Sequence, residues 1–277
     1  MKNIASNNIW NQYYTEYDVD SDIPGVKYPN EHLVRFVTHV KKNIPYKKNY
    51  RPKILEFGFG NITNMLMMSE LGFDVVGLEV SENTVKRAKS ALKKLELKTN
   101  IEVLTYEGGT IPFEKNDFDI IVGLQCVYYN LDQKYFADEC SRVLKDDGML
   151  FLSFFSSHHG YMDFIDGKPG EIVRFNEKHP HERLIDLKLF LYKDRAQFND
   201  TYGKSFNISV GLYETNQLPI FQSWYYLRAQ KKTSIKNLNF PFSVKEENCF
   251  KSIETSCNPS VLAKLLVFSI LPSLFLP

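Results

Sequence analysis

Residues 53–61 read KILEFGFGN: a short apolar run, then two glycines separated by an aromatic residue, then asparagine. The run 53–57 has the length and near-continuous apolar character of a strand covered on both faces. Gly58 and Gly60 let the chain turn sharply and approach a ligand without a Cβ in the way. A helical pattern over 63–71, closed by Gly72, follows directly. A helix start behind a glycine turn presents free N–H groups, although the same arrangement also serves as a plain strand-to-helix connection.

Outward from this stretch the chain alternates. A second strand is expected over 74–78 and a long helix with a charged outer face over 82–97. Strands are expected over 101–106 and 118–123. A helix over 134–144 ends at Asp146-Asp147-Gly148, before a fifth strand over 149–155. Strands alternating with helices specify a mostly parallel sheet with helices on both faces, and right-handed crossovers leave little topological freedom. Such sheets bind ligands at the carboxyl ends of the strands where the strand order reverses, which places the first strand at the site. Upstream, Leu33, Val34, Phe36, Val37 and Val40 recur at helical spacing, with Asn30 as the cap. Downstream, the β-rich runs 204–213 and 221–230 are close enough to pair as an antiparallel hairpin.

Acidic residues stand at three of these strand ends. Glu56 lies two residues before Gly58, where a negative charge repels phosphate and attracts a cation. Asn61 stands where a dinucleotide loop would continue towards a third glycine, so pyrophosphate is not the expected guest. Glu79 follows the second strand, 23 residues after Glu56, and can accept from both hydroxyls of a ribose. Charge-assisted bonds of this kind contribute roughly 1.5–3 kcal/mol each. After the third strand, Glu107-Gly108 pairs an acid with a small residue, which suits an adenine edge.

These residues resemble the class I S-adenosylmethionine-dependent methyltransferases from about Pro52 to His158 and, more weakly, through Gln230. Glu56-x-Gly58-x-Gly60 is similar to the first motif of that family, Glu79 to its ribose-binding acid and Glu107-Gly108 to its adenine contact. Residues 111–113, 116–122 and 140–148 resemble the motifs that follow. Asn61 departs from the family's third small residue. The resemblance implies a Rossmann-like sheet of seven strands, the hairpin closing it, and S-adenosyl-L-methionine as cofactor with S-adenosyl-L-homocysteine as product. It implies cofactor contacts from Glu56, Gly58, Phe59, Gly60, Asn61, Glu79, Val80, Glu107, Gly108 and Gln125. Catalysis in this family is mostly placement of a nucleophile in line with the S–CH3 bond, in a site that excludes water.

Acceptor groups in such enzymes come from the N-terminal segment, the fourth-strand loop and insertions after the fifth strand. Here those segments offer Trp10, Tyr13, Tyr14 and Tyr28, then Tyr128 and Tyr129. The segment 156–185 adds His158, His159, Lys168, Arg174, His179, His181 and Arg183. Tyr13, Tyr14, Tyr28, Tyr128, Arg174 and Arg183 are the candidates for substrate binding. Tyr129, His158 and His159 are the candidates for catalysis. His158 or His159 would act as a general base on a hydroxyl acceptor, or would bind the charge of an anionic one. Four of the six histidines lie between 158 and 181, but their spacing fits no standard zinc pattern, and no metal is expected. For each aromatic residue, packing of a lid against the core is the competing role.

Lys+Arg 34 against Asp+Glu 33 leaves a net charge of +1, so no broad basic face is available for nucleic acid. Hydrophobic and charged shares of 43% and 24% exclude a disordered or fibrous chain. Cys126, Cys140, Cys249 and Cys257 show no paired spacing and are expected as thiols in a cytoplasmic protein. The N-terminus lacks the apolar run of a signal peptide. The apolar stretch 261–277 is broken by Lys264 and Pro272 and is shorter than the roughly 20 residues of a membrane span.

Five segments are therefore expected: an N-terminal lid and substrate segment (1–48), the cofactor-binding half (49–158), a lid insertion (159–185), completion of the sheet (186–231) and an appended loose tail (232–277). The expected function is methyl transfer to an oxygen or nitrogen of a small polar metabolite, with a sugar or a phosphorylated intermediate among the candidates. A non-catalytic nucleoside-cofactor-binding protein, an RNA methyltransferase and a nicotinamide oxidoreductase are the alternatives. Oligomeric state is not legible.

Overall fold

A computed structural model describes residues 9–12, 28–43, 49–95, 100–215 and 221–233. The chain divides after Lys232, and the tail beyond Thr233, with Cys249 and Cys257, lies outside the described residues. The first unit opens with α1 (Glu31–Asn43) and continues β1 (Lys53–Phe57), α2 (Thr63–Glu70), β2 (Asp74–Glu79), α3 (Glu82–Lys94), β3 (Ile101–Thr105) and β4 (Phe118–Gly123). Then come α4 (Gln133–Val143) and β5 (Leu144–Phe155), three short strands β6 (Ile165–Asp166), β7 (Ile172–Phe175) and β8 (Lys188–Phe190), α5 (Arg195–Tyr202), β9 (Phe206–Thr215) and β10 (Gln222–Lys231).

Seven strands form one sheet in the order β3-β2-β1-β4-β5-β10-β9. The first five are parallel, and β10 and β9 run antiparallel at one edge. The strand order reverses between β1 and β4, where the crevice of such a sheet opens. Asn30 caps α1 as expected, its Oδ1 accepting from the N–H groups of His32 and Leu33. Phe36 of α1 stacks on Phe151 of β5 at 4.6 Å, while Phe154, on the opposite face of that strand, meets Tyr192, Phe198 and Tyr202. Both faces of the sheet are thereby covered, which explains the near-continuous apolar strands.

Two boundaries differ from expectation. Asp146-Asp147-Gly148 is not a turn before β5 but an irregularity within it. Asp147 adopts φ +62°, and the pairing of β4 with β5 slips between Phe118 and Ile120. The insertion also runs past residue 185: β6, β7 and β8 form a separate antiparallel sheet, so the segment that rejoins the main sheet starts at α5. No helix among the described residues is long and apolar enough to cross a membrane.

Gly77, mid-strand in β2, keeps room for the loop after β1. A Cβ there would lie 2.6 Å from the ring of Phe59 and 2.7 Å from Met65 Cε. Gly77→Ala is expected to cost about 1–3 kcal/mol by overpacking, read as a lowered melting temperature together with weakened cofactor binding. An unchanged melting temperature would show that Phe59 can move aside freely.

Candidate functional site

The loops after β1, β2, β3 and β4 converge on a cavity of 1320 Å³. Gly58 (φ +56°) and Gly60 (φ +52°) make the turn after β1. A Cβ on Gly58 would stand 2.7 Å from Cys126 Cβ, so a side chain at position 58 is excluded by sterics as well as by conformation. Cys126 itself donates to Phe57 O at 3.1 Å, joining the β4 loop to the end of β1. Asn61, the departure from a third glycine, accepts from Thr63 N through its Oδ1 and so caps the entry to α2.

Glu79 is 4% exposed, and its carboxylate organises this end of the cavity. Oε1 accepts from the N–H groups of Val80 (2.8 Å) and Ser81 (3.2 Å), and Oε2 from Gly60 N–H (3.2 Å). Burial raises its pKa while these three donors pull it back. A carboxylate offers about four acceptor positions, so one, on Oε2, is left for a hydroxyl. The expectation that Glu79 takes both ribose hydroxyls therefore requires the Gly60 N–H to yield its place.

Glu56 is 2% exposed, and burial pushes its pKa up to about 8, with Asn64 opposing and Glu79 adding to the rise. Its Oε1 accepts from Asn64 Nδ2 at 3.0 Å, and Asn64 Oδ1 in turn accepts from Asn30 N at the start of α1. Its Oε2 is buried and has no partner. An unpartnered buried carboxylate oxygen calls for a cationic or strongly donating ligand. S-adenosylmethionine, which carries an ammonium and a sulfonium and no phosphate, fits that donor set. Glu107, Gly108 and Gly109 line the same end, with Tyr106 donating from its hydroxyl to Gly109 O at 2.6 Å. Phe59, Val80 and Gln125 line it as well. Gln125 holds φ +56°, fixed by its N–H bond to Ser153 Oγ.

The other end of the cavity is aromatic. Trp10, Tyr28, Tyr128, Tyr129, Phe155, Tyr161 and Trp224 line it. Tyr128 is 3% exposed and packs against Tyr129 and Phe155, both at 4.6 Å between ring centroids. Trp10 meets Tyr129 at 5.2 Å.

Several expected acceptor residues stand elsewhere. His158 is at the surface, its Nδ1 3.5 Å from Glu214, and it does not line the cavity. Arg174 is held by Asp186 and Asp166 on the exposed side of the small sheet. Arg183 donates to Gln12 O, again outside the lining, and Tyr13 and Tyr14 lie outside the described residues. His159 does line the cavity, but its Nδ1 accepts Tyr161 N–H, so Nε2 carries the proton and faces Gln222 Oε1 at 3.2 Å. Burial lowers its pKa to about 4. A neutral ring with both nitrogens engaged does not bind anionic charge. Gln133, Tyr161 and Trp224 were not singled out from sequence, where each reads as an ordinary helix or strand residue. Among the described residues no group of His, Cys, Asp and Glu is arranged to hold a metal ion.

Glu79→Ala is expected to weaken S-adenosylmethionine binding at least tenfold, since one charge-assisted bond exceeds about 1.4 kcal/mol. It should also lower the melting temperature, because three N–H groups lose their acceptor. Isothermal calorimetry on the folded variant checks this, and unchanged affinity would remove Glu79 from the cofactor site.

A protein-family model described as a methyltransferase domain matches residues 55–152. The ubiquinone biosynthesis O-methyltransferase of Pelagibacter ubique is 28% identical over 128 residues, 46% of this chain and 51% of that protein. The demethylmenaquinone methyltransferase of Lactococcus lactis is 39% identical over 74 residues, 27% of this chain and 29% of that protein. The chain thus spans about half the length, or less, of these curated relatives. Among solved structures, a SAM-dependent methyltransferase from Methanosarcina mazei superposes with a TM-score of 0.55 at 19% identity, covering 66% of this chain and 94% of that one, a likeness of fold. The stretch matched runs from within β1 to most of β5 and includes Glu56, Glu79 and Glu107. Residues 55–152 therefore match a methyltransferase domain, with the fold of the S-adenosylmethionine-dependent methyltransferases.

Proposed function

We propose that this protein moves the methyl group of S-adenosylmethionine to an oxygen of a small, uncharged, hydroxylated aromatic acceptor. The aromatic wall opposite the two carboxylates carries this proposal. Pockets for single drug-sized ligands run to roughly 300–1,000 Å³, and 1320 Å³ leaves room for a second, flat molecule beside the cofactor. Rings prefer offset or edge-to-face contact with other rings, and Tyr128, Tyr129, Phe155 and Trp224 offer such surfaces. The arginines that would have held a phosphorylated acceptor are paired away from the cavity, and His159 is neutral, which speaks against a sugar phosphate. The relatives named above, an O-methyltransferase of ubiquinone biosynthesis and a demethylmenaquinone methyltransferase, add support for a ring acceptor.

The cofactor, when bound, would supply an electrophilic methyl group on a sulfonium. The acceptor oxygen would gain the methyl as the S–CH3 bond breaks to leave S-adenosyl-L-homocysteine, and the hydroxyl proton would pass to solvent. The protein supplies placement: Glu56 and Glu79 hold the cationic and ribose ends, and the aromatic wall aligns the acceptor oxygen and excludes water. Incubating the protein with labelled S-adenosylmethionine and a panel of catechol, glucose 6-phosphate and a short RNA is expected to label catechol alone. Label in the sugar phosphate or the RNA would overturn the choice of acceptor, and binding with no label anywhere would favour a non-catalytic nucleoside-binding protein.

The Glu56 carboxyl gives a second test with a definite sign. A cationic ligand favours the ionised carboxylate, so binding expels a proton wherever Glu56 is protonated in the free protein. Cofactor affinity should therefore rise with pH up to about 8 and then level off, and Glu56→Gln should flatten the profile. Calorimetry between pH 6 and pH 9 measures this. Identical slopes for the two proteins would show that Glu56 does not face the cationic end of the cofactor.

A further inference from the structure

Gln133 is the first residue of α4 and is 3% exposed. Its Nε2 donates to Val127 O at 2.8 Å and to Asn130 O at 2.6 Å, the first residue of the 3-10 turn Val127–Tyr129 and the residue that caps it. Its Oε1 accepts from the hydroxyls of Tyr202 at 3.1 Å and Tyr192 at 3.3 Å. Carbonyls on one side and hydroxyls on the other leave only this orientation of the amide, and all four of its hydrogen-bonding positions are used.

The partners come from separate parts of the chain. The turn follows β4 and carries Tyr128 and Tyr129 on the cavity wall. Tyr192 stands two residues after Phe190, the end of β8, which lines the cavity from the insertion. Tyr202 ends α5. Tyr192 stacks on Phe198 at 3.8 Å, and both phenols are fully buried. Burial raises the pKa of each, which keeps the hydroxyls protonated as donors.

We propose that Gln133 is a positioning residue for methyl transfer: its amide ties the insertion's wall of the acceptor site to the turn that presents Tyr128 and Tyr129, so that the two walls keep one relative placement. This rests on the methyltransferase function proposed above. Gln133 is not required to touch cofactor or acceptor. Replacing it by Met keeps the volume and removes all four bonds. The pair Tyr192→Phe with Tyr202→Phe keeps both rings and removes the two donors to Oε1, together with the hydroxyls' contacts with Thr201 and with each other.

The chain's two tryptophans report on the turn without any acceptor. Trp10 contacts Tyr129 at 5.2 Å and Trp224 lies 6.5 Å from Tyr128. In both variants S-adenosylmethionine affinity should stay within about twofold, because the contacts of Glu56 and Glu79 are untouched. Acrylamide quenching of tryptophan emission should increase. With catechol as the acceptor, kcat should fall about tenfold or more with KM less affected, since misplacement by about 1 Å costs up to 100-fold. If Gln133→Met does not fold, the double Phe variant decides.

Unchanged quenching and kcat in a folded variant would overturn the proposal. So would a kcat loss that only tracks lost cofactor affinity, which marks a purely structural role. If the wild-type protein does not methylate catechol, the proposed acceptor has failed, and the quenching measurement still decides the role of Gln133.

Discussion

The last two residues of β2 hold the cofactor end of this molecule together. Leu78 O accepts from Gly58 N–H, and Glu79 O accepts from Tyr106 N–H, so the loops after β1 and β3 both hang from β2. The Glu79 carboxylate then gathers Gly60, Val80 and Ser81. A buried carboxylate is costly unless its oxygens are paired, and here the pairing is done by backbone N–H groups whose positions the sheet already sets. The turn at Gly58, the approach of Cys126 and the placement of Glu56 all follow from that anchor. Substituting it would disturb the loops after β1 and β2 together, not one contact.

What could be read from sequence divides along physical lines. The central strands β1, β2, β4 and β5 are buried on both faces, so each shows as an apolar run, and the acids at the ends of β1 and β2 stand out by contrast. Asn30 announced itself as a cap because capping is decided within three residues. The insertion was legible only as an interruption: β6, β7 and β8 are two to four residues long, too short for periodicity to register. Gln133 was invisible for a different reason, since its partners lie up to 69 residues away and nothing local marks a glutamine as saturated.

The acceptor side shows how unpaired charge is overcounted in a linear reading. Arg174 looked available for an anionic substrate, yet the antiparallel register of β6 and β7 sets Asp166 directly opposite it, and Asp186 completes the clamp. His158 and His159 are neighbours in sequence with opposite fates, one at the surface beside Glu214 and the other among Phe155, Tyr161 and Trp224. Once these side chains are accounted for, rings share the cavity lining with polar groups such as Asn130, Asp132 and Lys134.

The two ends of the cavity have different genealogies within one chain. The residues proposed to hold the cofactor stand at consecutive strand ends of the β–α succession, all inside residues 55–152. The aromatic wall draws on Trp10 and Tyr28 before that stretch and on Tyr161, Phe190 and Trp224 after it. Trp10, Tyr28 and Tyr161 lie outside the main sheet, whereas Trp224 is paired with Phe155 within it, so only part of the wall can change without touching the strands. Substitution at those three positions leaves in place the bonds from Gly58 and Tyr106 to β2 that hold the opposite end of the cavity.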